Sequence, residues 1–479
     1  MQRTPLSIIQ GPPGTGKTTV ITEIVFQLLE QKPDSKILIT SQTNNAVDQV
    51  LENLMKNDIP ILRLSGLTEP RVEAIKKHTI KRKLSGWKEV VVKNAKEIFN
   101  NKYKKDSPDY KELEELHKDW LNTISSIKEE GAINQRLVDS IRVIGATCNH
   151  IASKKYSKFN FEFDYIIMDE SGKATVAESL VPIVLGNNLV FVGDHRQLRP
   201  MLTANREVEK WLRKEYKKEA NDLDGFDEYF NRPSLFEEVI EHIDEGYKTQ
   251  LTECRRSSRL QVELTSKCFY ESEGDEPIKY VDRPEEKEHN LPLSIDSSIF
   301  MIDIGSEYKN EKDGQSSFNR ESVKVIADLF ENLDKYDKIR DYSIGLITAY
   351  SAQYRKLRSQ IKRMDLNSIR IWKAQKDEEK FTKSVIDRFQ GLERDVVIVD
   401  LVKSGTDLNL GFLETPNRIN VGLSRQKRLL IIVGDYHGII NAKTKRDRWN
   451  GQKCALQKYL MMIPKNCIIK AKELNKLFK

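Results

Sequence analysis

Residues 11–18 read Gly-Pro-Pro-Gly-Thr-Gly-Lys-Thr and follow the apolar run Leu6 to Ile9. Glycines at 11, 14 and 16 carry no Cβ, so the backbone can wrap closely round a chain of phosphates. Its N–H groups then point at the phosphate oxygens, and a helix starting here adds partial positive charge. Lys17 would reach the β and γ phosphates, and the Thr18 hydroxyl would ligate Mg²⁺. Gly11, Pro12, Gly14, Thr15, Gly16, Lys17, Thr18 and Thr19 form the expected nucleotide-binding set. A second reactive pair, Asp169-Glu170, ends the apolar run Tyr165 to Met168. The first acid suits holding the Mg²⁺, directly or through water. The second suits orienting and polarising an attacking water. Thr18 and Asp169 are thus the metal candidates, and Lys17, Asp169 and Glu170 are catalytic candidates. The chemistry they point to is hydrolysis of a nucleoside triphosphate.

These groups need a scaffold that brings strand ends together. Ile8 and Ile9 read as a strand; Val20, Ile21, Ile24, Val25, Leu28 and Leu29 recur at helical spacing. Lys36 to Thr40 reads as a second strand, and Val47, Val50, Leu51 and Leu54 as one face of a helix starting near Ala46. Strand and helix alternating through short joints predicts an α/β fold with a parallel sheet. Further strands are expected at Arg142 to Thr147, Tyr165 to Met168 and Leu189 to Val192. Their polar tails would share an edge with the phosphate loop, since such sheets bind ligands beyond the carboxyl ends of strands. A second α/β set has strands at Phe300 to Ile304, Tyr342 to Thr348, Val396 to Val399 and Leu429 to Val433, with a helix over Glu321 to Leu333. It has no phosphate loop of its own, so it reads as a partner lobe that closes over the first.

Between the first strands, residues 67–138 break the pattern. They are lysine-rich up to Lys105, and after Pro108 they carry Leu113, Leu116, Trp120, Ile124 and Ile127 on one helical stripe. This predicts a helical insertion whose basic part is either a solvated face or a nucleic-acid contact surface. Residues 203–250, with an acidic stretch at Asp222 to Glu228 and a packing helix after Ser234, should close the first domain. Residues 271–289 read as a surface loop. The expected domains are a first lobe at 1–66 and 139–245, the insertion at 67–138, and a second lobe at 246–479.

Composition sets outer bounds. Of 479 residues 32% are charged, yet the net charge is only +7, which allows a polyanionic partner without establishing one. Five scattered cysteines form no Cys-x-x-Cys pair, so neither a structural metal nor a disulfide framework is expected. No run of about 18 apolar residues or signal-peptide pattern occurs. The expectation is a soluble cytoplasmic protein with no membrane partner.

Several blocks, taken together, resemble superfamily 1 helicases, in the up-frameshift-like branch (superfamily 1B). Ile9 through Thr18 is similar to motif I, and Ser41 to Asp48 with Gln49, which includes "QTNNAVDQ", to motif Ia. Asp169-Glu170-Ser171 is similar to motif II, and Gly193 to Pro200 ("GDHRQLRP") to motif III. Leu251 to Arg256 stands where the family has "LxxQYRM", and Ile344 to Tyr350 with Gln353 resembles "IGIITPYxxQ". Val385 to Asp395, with Phe389 to Glu393 inside it, resembles motif V, and Asn420 to Arg425 resembles motif VI. The blocks run in family order over most of the chain.

The resemblance implies two RecA-like lobes, ATP and Mg²⁺ in the cleft between them, and a single strand of RNA or DNA crossing both. It implies 5′ to 3′ movement along that strand. Gln197 would sense the γ-phosphate, and Arg255 and Arg425 would serve as arginine fingers, Arg256 lying beside the former. Gln390, Gly391 and Glu393 join the nucleotide set, Glu393 on the ribose. Ser41, Thr43, Asn44, Thr147, Thr348 and Tyr350 would line the strand track, where small polar groups suit phosphate and sugar; loop capping is the alternative reading of each. Two positions depart from the family pattern: Glu253-Cys254 replaces Gln-Tyr, and Lys173 replaces Gln. The family's adenine-reading glutamine and small β-barrel upstream of motif I have no residues here. The chain is then a fragment, or a partner protein supplies them, or nucleotide choice is loose. Two functions follow: an ATP-dependent helicase or translocase, or a nucleic-acid-stimulated ATPase module of a larger assembly that does not unwind alone. A regulatory ATPase indifferent to nucleic acid is a third.

Overall fold

The computed structural model describes residues 5–66, 70, 72–104, 108–126, 132–200, 234–282, 288–314, 316–368, 381–389, 391–444 and 452–478. The chain divides into two units. The first comprises Met1–Ile9, Lys17–Gly193 and Pro200–Thr249; the second comprises Gln10–Gly16, Asp194–Arg199 and Gln250–Lys479. The second unit therefore gathers the phosphate loop and the motif III turn as well as the C-terminal half.

Seven strands make the first sheet: β1 (Leu6–Gln10), β2 (Ile37–Ser41), β3 (Ile61–Arg63), β4 (Val143–Thr147), β5 (Phe163–Met168), β6 (Gly186–Gly193) and β7 (Lys248–Gln250). Their order is β3-β4-β2-β5-β6-β1-β7. The pairings of β4 with β3 and β2, and of β5 with β2 and β6, are parallel. The register sets Ser41 opposite Thr147 and Thr40 opposite Met168, so the polar tails of β2, β4 and β5 end at one edge. Helices cover the sheet by their apolar stripes. Lys17–Gln31 buries Ile21 and Val25, and Asn44–Lys56 buries Val47, Val50, Leu51 and Leu54.

One charged pair lies inside this unit. Arg63 on β3 and Asp48 in the helix Asn44–Lys56 are 1% and 2% exposed, and Nε meets Oδ1 at 2.6 Å. The same guanidinium donates to Leu64 O and Asn44 Oδ1. Removing one partner leaves the other charge buried and unmatched. Asp48→Ala is therefore expected to cost about 3–5 kcal/mol of stability, seen as a lowered thermal midpoint. An unchanged midpoint would contradict this account.

Among the described residues the insertion is mostly helical, and its lysine-rich part is included: Glu73–Lys76, Ile80–Lys102, Tyr110–Ser126 and Ala132–Ser140. The stripe on Tyr110–Ser126 is not a buried one, since no residue of that helix is buried; Leu116 is 62% and Trp120 43% exposed. That helix leans on Ile80–Lys102 through contacts such as Phe99 stacked on His117 at 4.3 Å. Ile127 and the acidic stretch Asp222 to Glu228 lie outside the described residues.

In the second unit, β8 (Glu253–Cys254) pairs with β9 (Lys279–Tyr280). The latter gives the expected surface loop a short strand. A parallel sheet follows, built from β10 (Ile299–Asp303), then, after a hairpin of β11 (Glu311–Asp313) and β12 (Ser316–Phe318), from β13 (Ile344–Thr348), β14 (Phe381–Val385), β15 (Arg394–Asp400), β16 (Gln426–Gly434) and β17 (Ile468–Lys470). Its order is β14-β13-β15-β16-β10-β17, with every pairing parallel. The central strands are buried on both faces, as continuous runs such as Leu429 to Val433 require. Among the described residues, no helix is long and apolar enough to cross a membrane.

Candidate active site

The first unit holds the acids and the lysine. Asp169 follows β5, and its N–H donates to Thr40 O on β2 at 2.9 Å, which fixes the strand end. Glu170 takes a left-handed conformation, φ 51° and ψ 34°, and its N–H donates to Asp169 Oδ1 at 2.8 Å. A non-glycine residue held there is a local strain of the kind found at active sites. The Ser171 hydroxyl donates to Val192 O at 2.8 Å, and a Cβ on Gly193 would lie 2.7 Å from that hydroxyl oxygen. Glycine at 193 thus lets the acidic turn sit on β6.

Burial pushes the Asp169 carboxyl well up, and the Glu170 charge pushes it further; Lys17 and the Glu170 N–H act against this. A carboxylate so poorly solvated gains much from a nearby cation. Thr18 and Asp169 are both hard oxygen donors. Among the described residues, no group of three or more His, Cys, Asp or Glu could cage a metal ion. That donor set fits Mg²⁺, which prefers one or two protein oxygens plus waters and phosphate.

The second unit holds the loop backbone and the guanidinium groups. Thr15 N–H and Oγ1 both bond Pro12 O, and Gly14 and Gly16 have φ of +76° and +84°. A Cβ on Gly14 would lie 2.7 Å from Arg256 Cβ and 2.9 Å from Cys254 Sγ. The missing side chain is thus what lets Arg256 lie directly on the loop. The Arg256 guanidinium donates to Glu393 and, at 2.5 Å, to Ser424 O. Burial would raise the Glu393 carboxyl, but the Arg256 and Arg425 charges outweigh it and hold it below the usual carboxylate range. Arg425 is 4% exposed. It donates to Gln197 Oε1 at 2.8 Å, Val421 O at 3.0 Å and Ser424 Oγ at 3.1 Å.

Arg255 is placed differently. Its N–H donates to Gly14 O at 3.0 Å. Its side chain is 55% exposed and pairs with Glu253 at 2.7 Å. What separates the two arginines is contact: Arg256 Cβ and Cys254 Sγ both lie against Gly14, while the Arg255 side chain turns outward.

Gly391 has φ +77°, and Gln390 lies outside the described residues. Of the track candidates, Ser41 Oγ accepts from Thr43 N–H, Thr43 caps Asn44–Lys56, and Thr147 caps Cys148–Ile151. Asn44 is held by Arg63. Thr348 Oγ1 accepts from Tyr350 N–H, and the Tyr350 ring packs on Phe412 at 4.5 Å. These side chains thus shape the strand-end loops. Groups with no expectation attached also converge on motif III. Asn417 Nδ2 donates to His195 O and Gln197 O, Asn420 Nδ2 donates to Arg196 O, and Asp275 accepts from Arg196 and Gln10.

Two family models, each described as an AAA domain, match residues 1–205 and 231–437, together most of the chain. Regulator of nonsense transcripts 1 from Dictyostelium discoideum is 28% identical, with 93% of this chain aligned to 30% of that protein. Its namesake in Caenorhabditis elegans is 29% identical, over 97% of this chain and 40% of the relative. DNA polymerase alpha-associated DNA helicase A from Saccharomyces cerevisiae is 26% identical, over 90% and 62%. The chain thus spans less than two thirds of the length of each. With two parallel sheets flanked by helices and the motif blocks in order, the chain has the two-lobe RecA-like α/β fold and belongs to the superfamily 1 helicases, in their up-frameshift-like branch.

Proposed function

We propose that this protein hydrolyses ATP to move 5′ to 3′ along a single strand of RNA or DNA, displacing a paired strand ahead of it. The observation that carries this reading is the Arg256 side chain lying on the phosphate loop at Gly14, with Arg425 of motif VI donating to Gln197 of motif III. Switch-like turnover needs such cations, because they offset charge that grows on the γ-phosphoryl group. In this reading the loop N–H groups and Lys17 bind the triphosphate, and Glu170 orients the water. Thr18 and Asp169 would hold Mg²⁺, which would supply charge neutralisation at the phosphates when bound. Arg425 and Arg256 stabilise the transition state, and Gln197 reports the γ-phosphate. Arg255, at the loop through its backbone, is proposed to assist. Ser41, Thr43, Asn44, Thr147, Thr348 and Tyr350 line the strand track through the loops they shape. The five cysteines are free and buried, which suits a reducing compartment such as the cytoplasm.

A gel assay on duplexes with 5′ or 3′ overhangs tests this. Displacement from 5′ tails only is expected, together with ATP turnover raised by poly-U or poly-dT. Raised turnover with no displacement would replace the reading by an ATPase module that works within a larger assembly. Turnover indifferent to both polymers would remove nucleic acid from the function altogether.

A further inference from the structure

Tyr270 is fully buried at the end of the helix Arg259–Phe269. Its hydroxyl donates to Asp194 Oδ2 at 2.7 Å and accepts from Asn420 Nδ2 at 3.0 Å. Asp194 is 3% exposed and takes a second bond on Oδ2, from Gln197 Nε2 at 2.5 Å, while Oδ1 accepts from Arg196 N–H at 3.1 Å. An ionised carboxylate only accepts, so the Gln197 amide must turn its NH₂ toward Asp194. Its oxygen is then left facing Arg425, a guanidinium that only donates. The orientation of Gln197 toward Arg425 thus depends on Asp194 remaining an acceptor.

A buried carboxylate stays ionised only if donors replace the lost water. Tyr270 is among these donors, and burial beside Asp194 keeps its phenol protonated by raising it far above the usual tyrosine range. Without that hydroxyl, Asp194 is less stabilised as an anion. A protonated Asp194 could donate to the amide oxygen and let Gln197 turn over, presenting its NH₂ to Arg425. The bond from Asn420 adds a second constraint, because Asn420 also holds Arg196 O and belongs to the helix Pro416–Leu423 that leads into Arg425.

We propose that Tyr270 is a positioning residue for ATP hydrolysis: it holds Asp194 so that the Gln197 amide presents its oxygen to Arg425. This rests on the reading of Gln197 and Arg425 given above. Tyr270 touches no nucleotide in this scheme, so it acts on turnover rather than on ATP binding. Tyr270→Phe keeps the ring that fills the core and removes only the hydroxyl.

Steady-state ATPase measurements separate this role from plain packing. Tyr270→Phe is expected to lower kcat by about tenfold, with KM for ATP changed less than about twofold. In a Gln197→Ala background the same substitution is expected to cost less than about twofold more. A tenfold loss in both backgrounds, or none in the wild type, would overturn the proposal. Should Tyr270→Phe fail to fold, Asn420→Ala, which removes the donor to the phenol, is judged by the same two criteria. Wild-type turnover in Gln197→Ala alone would instead overturn the underlying sensor reading.

Discussion

Glu170→Gln is expected to bind ATP normally and to hydrolyse it about 10²–10⁴-fold more slowly. The substitution preserves shape and hydrogen-bonding reach but removes the basic carboxylate that polarises water. Binding should survive because the loop N–H groups, Lys17 and Thr18 are untouched. The left-handed backbone at Glu170, φ 51°, is set by the acidic turn and its seat on Gly193, so Gln inherits the same placement. Parallel measurement of kcat and of equilibrium binding of a fluorescent ATP analogue checks both halves. Wild-type turnover would remove Glu170 from the chemistry, and lost binding would make it a ligand to the nucleotide instead.

Arg425→Ala is expected to reduce kcat by about 10³-fold or more, the range in which a transition-state guanidinium acts. Part of the effect is structural, since Arg425 is buried and spans Gln197 Oε1 and Val421 O. Arg425→Lys separates the two contributions. Lysine keeps the charge but loses the planar fork that bonds two partners at once. It should restore the melting temperature more fully than the turnover. Alanine within about twofold of wild-type kcat would show that Arg425 only ties the motif III turn to the helix Pro416–Leu423.

The sequence alone determined the strands that are long and buried on both faces, and so the α/β class. Runs such as Leu429 to Val433 have one stable use, the middle of a covered parallel sheet. It also determined the phosphate loop, because positive φ at Gly14 and Gly16 suits residues without a Cβ. The edge strands Ile61–Arg63, Phe381–Val385 and Ile468–Lys470 were not legible: their apolar residues are too few or too interrupted by polar ones to be told from loop. The amphipathic stripe on Tyr110–Ser126 marked a helix, yet no residue of that helix is buried. A pattern reports which face is apolar, not whether anything large enough arrives to cover it.

Only the tertiary structure decided which arginine of Arg255-Arg256 lies on the loop. Both share one charge and one motif, and only the packing of Arg256 against Gly14, with Arg255 turned outward, separates them. Only it decided that Asp48 serves a buried pair with Arg63, and that Tyr270, Asn417 and Asn420 meet the motif III turn. Local sequence specifies strands, turns and caps, since those depend on neighbours along the chain. Contacts between groups more than 70 residues apart, such as Tyr270 and Asp194, depend on how sheets and helices pack, which no local pattern encodes.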